Sequence, residues 1–243
     1  MDRYRKWAWG LGIAAVTAVT AFGAASWQAN AAPSPSTPPG VAAEQPRVSD
    51  PQVGPEPAAG TGSDPLTGTE VANARKLAVT PQLAATARNV TGAAGPEYLS
   101  AEVDAESGGR HAELYYYDYG TDKLIKQVVD LATGKLAGSY SATRMQPPAS
   151  PGEVTAALDL LLADPLAADL KDGYRKATGR ELAGKDGLIA DAHVYTADPA
   201  DTGAGQCGAH RCLQLVVQTG DGHFIDVNHI IIDLSGRTVA RLK

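Results

Sequence analysis

An apolar run, an Asp-Leu pair, a short turn holding Gly and a cation, and a second apolar run occur twice in this chain. The first copy is Val128-Val129-Asp130-Leu131-Ala132-Thr133-Gly134-Lys135-Leu136. The second is Ile231-Ile232-Asp233-Leu234-Ser235-Gly236-Arg237-Thr238-Val239. Each reads as two β-strands around a tight turn. Before each lie further hairpin-like sequence and, earlier still, a helical segment. A chain that twice runs helix, then antiparallel strands, is expected to be α+β, with helices covering one face of each curled sheet. Asp130, Gly134, Asp233 and Gly236 then mark two equivalent hairpins of a small unit repeated in tandem. Recurrence of the Asp in both copies favours a turn role, in which its carboxylate bonds nearby backbone, over catalysis.

The first unit is expected over 66–146 and the second over 147–243. In the first, Thr69 or Thr67 caps a helix from about Glu70 to Asn89, with Val71, Ala74, Leu77 and Ala78 at helical spacing. Pro81 kinks or splits that helix, because it lacks the N–H and clashes with the preceding turn. Strands follow over 98–103, 112–119, 124–131 and 135–142, the first two joined through Glu106-Ser107-Gly108-Gly109. The second unit opens on Ser150-Pro151-Gly152-Glu153, a capping box with Pro at the first helical position. Its helix runs through Leu162, Asp164-Pro165 breaks it, and another helix spans 166–176. Strands are expected over 188–195, 212–219, 223–234 and 238–242, with a polar loop at 196–211.

Residues 1–31 read as an export signal: Arg3, Arg5 and Lys6, an apolar run from Trp7, then Ala29-Asn30-Ala31 as a small-x-small cleavage site. The competing reading is an uncleaved anchor, weak because the run is rich in Ala, Gly and Thr. Either way the chain is expected to work outside the cytoplasm, secreted or associated with a cell wall. A membrane enters only if the signal is retained. Residues 32–65 carry nine prolines in 34 residues and no aromatic, the composition of a disordered, Pro-rich linker. Loss of Asp2, Arg3, Arg5 and Lys6 takes the net charge from −6 to −8. Without a basic run, such a chain is a poor partner for nucleic acid. In an oxidising compartment Cys207 and Cys212 are expected to close a short disulfide loop.

Three kinds of site come into question. Cys207, His210, Cys212, His223 and His229 are metal-ligand types in one quarter of the chain. His223 and His229, however, lie about 20 Å apart if one strand carries both, and the cysteines are expected to be oxidised. Ser, His and Asp occur without a nucleophile elbow, and His193 sits in a strand pattern. No metal, cofactor or catalytic residue is therefore assigned. The third is the run Tyr115-Tyr116-Tyr117-Asp118-Tyr119. Its alternation puts Tyr115, Tyr117 and Tyr119 on one face of a strand, either filling a sheet or forming a binding strip for a protein, peptide or glycan.

The stretch from Ala112 to Tyr119, then Lys126-Gln127-Val128-Val129-Asp130-Leu131-Ala132-Thr133-Gly134-Lys135, resembles the small amino-terminal domains of copper amine oxidases. The run from Glu153-Val154 to Ala163-Asp164-Pro165 is similar to the helical opening of the second such domain. The resemblance spans about residues 66–243 and implies two cystatin-like domains in tandem, the non-catalytic part of those enzymes. Their chemistry does not carry over. The family makes its redox cofactor from the Tyr of Asn-Tyr-Asp or Asn-Tyr-Glu and binds copper through His-x-His, and neither motif occurs here. The expected function is a secreted, non-catalytic binding or accessory protein of the cell envelope. Alternatives are a peptidase inhibitor or inhibitory pro-segment, using a projecting loop from Asp198 to Arg211, and an appendage acting with an amine oxidase core.

Overall fold

The computed structural model describes residues 54–104, 109–199 and 201–242. The expected signal, most of the linker and most of the Glu106–Gly109 turn lie outside those residues. Pro81 splits the first helical segment. Helix α1 (Gly68–Ala78) starts at Thr67, whose hydroxyl accepts from the Glu70 N–H while the Glu70 carboxylate accepts from the Thr67 N–H. Helix α2 (Pro81–Thr86) starts afresh at Thr80, with Pro81 in the first turn, where its missing N–H costs nothing. A four-stranded antiparallel meander follows: β1 (Glu97–Asp104), β2 (His111–Asp118), β3 (Lys123–Asp130) and β4 (Lys135–Thr143). The two-residue alternation of β2 sends Ala112, Leu114 and Tyr116 into a core with Ala74 and Ala78 of α1. Tyr117 goes to the opposite face, among Leu99 and Leu124.

The second half repeats the order. Helix α3 (Pro151–Ala163) begins with a full capping box between Ser150 and Glu153. Helix α4 (Ala167–Thr178) ends at Gly179, whose φ of 70° is a left-handed stop suited to Gly. The sheet has the order β5-β6-β8-β9, made of β5 (Leu188–Tyr195), β6 (Cys212–Thr219), β8 (Ile230–Asp233) and β9 (Thr238–Arg241). A short β7 (Phe224–Ile225) pairs with β6 off this path. Leu158, Leu161 and Leu170 of the helices meet Leu213, Leu215, Ile230 and Ile232 of the sheet. The fold is α+β with two antiparallel sheets.

Three expectations need correction. The strand expected over 223–234 is broken into β7 and β8. The Asp226 carboxylate accepts the Asn228 N–H at 3.2 Å, and the Ile230 N–H bonds the Val227 carbonyl, so the backbone turns there and drops Val227 into the core. In the second hairpin the left-handed residue is Arg237 (φ 52°), not Gly236, and it stands four after Asp233 as Gly134 (φ 64°) stands four after Asp130. The Asp supplies the equivalence: Asp130 accepts from Thr133 N–H and Asp233 from Gly236 N–H, each three residues on. Finally, residues 56–65, expected as the end of the linker, are tied to the first half. Glu56 accepts from Gly68 N–H, Ala58 accepts from the Thr67 hydroxyl, and Arg110 holds three further carbonyls. Residues 54–243 fall in one compact unit by their contacts.

Candidate functional site

Arg211, the residue just before β6, is fully enclosed. Its side chain and that of Glu153 are both 0% exposed. Arg211 Nε and Nη2 fork the Glu153 carboxylate at 2.5 and 2.8 Å. The other donors reach the Pro147 and Pro148 carbonyls and Gln146 Oε1. The hydroxyl of Tyr119 donates to the same Glu153 at 2.6 Å, and the guanidinium lies 5.3 Å from the Tyr117 ring centre. Burial opposes the Arg211 charge, but Glu153 against it raises its pKa overall. Burial, then the Glu153 charge, pushes Tyr119 far above the ordinary phenol range.

The first half carries the same clasp. Arg110 precedes β2 as Arg211 precedes β6, and forks Glu70, the capping-box acid of α1, through Nε at 3.0 Å and Nη2 at 2.9 Å. Its remaining donors take the Gly62, Asp64 and Pro65 carbonyls. Pro65 and Pro148 each lie two residues before the helix cap, so the correspondence extends to the gripped backbone. Leu131 N–H bonds the Arg110 carbonyl, and Leu234 N–H bonds the Arg211 carbonyl. The repeated Asp-Leu pair therefore meets an equally repeated Arg, and each Arg ties a strand to the start of a helix. A charged hydrogen-bonded group used identically in both halves is framework.

The Arg110 clasp makes a pH prediction. The hydrogen bond from Arg110 chiefly holds the Glu70 carboxyl at about 2, below its ordinary 4.5. A depressed carboxylate adds stability above its unfolded pKa and loses it as pH falls through the folded one. Unfolding midpoints should therefore drop between pH 4.5 and 2, and Glu70→Gln should flatten that part of the profile, as read by urea titration at each pH.

The sequence-derived candidates fall out as follows. Tyr117 is 1% exposed and Tyr119 is half-buried against Glu153, so these two of the three Tyr stand at the joint between the halves. Tyr115, half-buried, donates to Glu113 at 2.8 Å. Cys207 and Cys212 are paired, Cα to Cα 5.4 Å, and pack with Ala204 and Ile231. The loop from Asp198 to Arg211 is thus packed over β8 through Ala204 and Cys207 rather than projecting. His210 Nδ1 lies 2.8 Å from Asp233, which raises the His210 pKa. His229 and Arg241 share Asp169, at 2.7 and 2.6 Å, while His223 is exposed at the β6–β7 turn and His193 on β5. Among the described residues no three of His, Cys, Asp and Glu stand together as a metal site. Asp118 accepts from Arg88 N–H, Gly120 N–H and the Thr121 hydroxyl, a turn role; Asp122 instead accepts from the Ser235 hydroxyl across the joint. Sequence reasoning missed Arg211 and Glu153 as partners, although both Arg residues stand immediately before strands in equivalent places.

An open groove of about 470 Å³ runs between α3 and β5. Val154 and Leu158 form its helical side, Leu188 and Ala190 its strand side, and Asp186 and Asp191 stand on its rim. β5 is an edge strand, paired only with β6.

No family model and no curated protein matches the chain. Among solved structures, one match is a copper-containing benzylamine oxidase from Hansenula polymorpha, at 10% identity and a TM-score of 0.42. The match covers 75% of this chain and 30% of that one, so the chain spans less than a third of the oxidase. At that TM-score the likeness decides neither fold nor chemistry.

Proposed function

We propose that this chain is an extracytoplasmic binding module, one that recognises a partner rather than transforming a substrate. One observation carries the reading. Its enclosed acid–base groups serve a framework clasp that recurs in both halves, while its open groove adjoins an unpaired strand edge. Clefts with a few convergent polar groups beside free backbone are the usual places where proteins capture ligands. Export rests on the amino-terminal pattern Arg3, Arg5, Lys6 and Ala29-Asn30-Ala31. An accessory role in the cell envelope fits that address, and the cystatin-like, non-catalytic domains that the sequence resembles suit a module without its own chemistry.

The test is to place a photo-cross-linker at Thr155, an exposed residue lining the groove, and express the full chain in an exporting host with intact envelopes. Discrete adducts in the envelope or medium, with a mature mass beginning at Ala32, are expected. A chain that keeps Met1 in the cytoplasm and yields no adduct would sink the reading.

A further inference from the structure

We infer that the groove between α3 and β5 takes an extended peptide, added as a further strand to the β5 edge, with apolar side chains at alternate positions and a Lys or Arg opposite the rim. The inference rests on the binding-module reading and names the partner's chemistry.

Backbone comes first. Residues 188, 190, 192 and 194 turn their side chains towards the helices and are half-buried, while Ile189, Asp191 and His193 are exposed. In an antiparallel strand, residues on one face share the edge towards which their N–H and C=O groups point. The Ala192 N–H is bonded by the neighbouring Asp191 carboxylate at 2.7 Å. That places its donor on the free edge rather than towards β6. Ala190, Ala192 and Val194 therefore offer donors and acceptors outward, and the Ala190 side chain lines the groove. An added strand would satisfy the open groups, take the Ala192 N–H from the Asp191 carboxylate and lay every second side chain beside α3, the geometry of strand-addition recognition.

Side-chain size explains the space. Ala149 and Ala190 are small, so α3 and β5 do not close on each other, and Val154, Leu158 and Leu188 leave an apolar floor. The rim then selects the occupant. Lys185 is held by both oxygens of Asp159, at 2.7 and 2.9 Å. Asp186 and Asp191 have no ion-pair partner among the described residues. The lip of the groove is thus acidic, on a chain of net charge −6. A second copy of this chain fits poorly, because two β5 strands side by side would set acid against acid, and like charges opposite one another destabilise a sheet. A foreign strand carrying Lys or Arg meets the same acids favourably.

β4 is the contrasting edge. It too is exposed along nearly its whole length, but Lys135 is its one charged residue, so it offers no acid to select a cation. It serves as the internal control.

The probe is a phage-displayed library of random decapeptides panned against the full mature chain, with recovered sequences resynthesised carrying fluorescein and titrated by anisotropy. Expected are peptides alternating apolar residues with Lys or Arg. Ala192→Pro should weaken them at least tenfold, since it removes an edge donor without removing a bond to β6. The double reversal D186K with D191K should do the same, and Lys135→Glu on β4 should leave binding unchanged. Circular dichroism and thermal melts confirm that each variant folds. With peptide bound, amide exchange at Ala190, Ala192 and Val194 should slow. Recovery of no peptide, of peptides lacking a cation, or of binding that survives both groove variants overturns the proposal. Peptides protecting β4 instead would overturn it too, yet leave the binding-module reading standing. Absence of both peptides and cross-linked adducts would sink the two together.

Discussion

Arg211→Ala should lower the unfolding free energy by about 3–5 kcal/mol, the usual cost of removing one partner from a buried ion pair. A domain of ordinary stability has about 5–15 kcal/mol in total, so the variant should be partly unfolded at moderate urea where the parent is intact. The size follows from what is left behind. Glu153 is 0% exposed, so without the guanidinium its charge faces only the Tyr119 hydroxyl and the backbone N–H groups of Ser150 and its own helix start. The Pro147 and Pro148 carbonyls and the Gln146 amide oxygen lose their donors as well. The buried Glu153 carboxylate left without its cation carries its whole desolvation cost, whereas the half-buried Gln146 and Pro147 and the exposed Pro148 can turn to water.

The equivalent Arg110→Ala should cost less, about 1–3 kcal/mol as for exposed-side charged hydrogen bonds, because Arg110 is 13% and Glu70 8% exposed and water reaches the vacated place. Equal losses at the two positions, by urea denaturation monitored by Tyr fluorescence, would show that enclosure does not set the difference. A double variant, Arg211→Met with Glu153→Gln, should recover part of the loss, since two neutral groups leave no buried charge.

How much of this was legible beforehand varies with the range of the interaction. Helix starts were readable, because Ser150-Pro151-Gly152-Glu153 states its cap within four residues and Pro81 with Thr80 states another. The hairpins were readable for the same reason, since Asp130 and Asp233 bond to amides three residues on. The β7–β8 break was not, because Val-Asn-His within an apolar run still looks like strand, and only the Asp226 turn and the core's acceptance of Val227 decide it. The alternation put Tyr115, Tyr117 and Tyr119 on one face of the strand, and the structure shows Tyr117 on the face opposite the core with α1. What covers Tyr119 is Glu153, and a partner 34 residues away leaves no local pattern. Arg211 entered the sequence reading only as the last residue of the loop from Asp198. Aligning the two Asp-Leu hairpins and reading outward would have exposed Arg110 and Arg211 as a repeated pair, a signal available only after the repeat is accepted.

The boundary placed between residues 146 and 147 can be tested by cutting there. Fragments 54–146 and 147–243 should each fail to melt cooperatively alone. Mixing them should restore a transition. Val90 and Tyr119, from the first half, pack with the second-half core of Leu158, Leu161 and Leu213. Arg237 reaches across to the Val90 carbonyl at 3.0 Å, the Ser235 hydroxyl to Asp122, and Arg211 to Gln146. A lone second fragment would expose Glu153 and Arg211 with Tyr119 and Gln146 gone. A lone first fragment would bare Tyr117 and Tyr119. Each large side chain returned to water forfeits about 1.5–3 kcal/mol, so three or four of them exceed what a half-sized domain holds in reserve. Well-dispersed amide spectra from either fragment alone, with a melt within a few degrees of the intact chain, would show two independent domains. The shared core argues the other way: the duplicated sequence pattern gives two sheets, and the acid, guanidinium and tyrosines between them tie the two halves together.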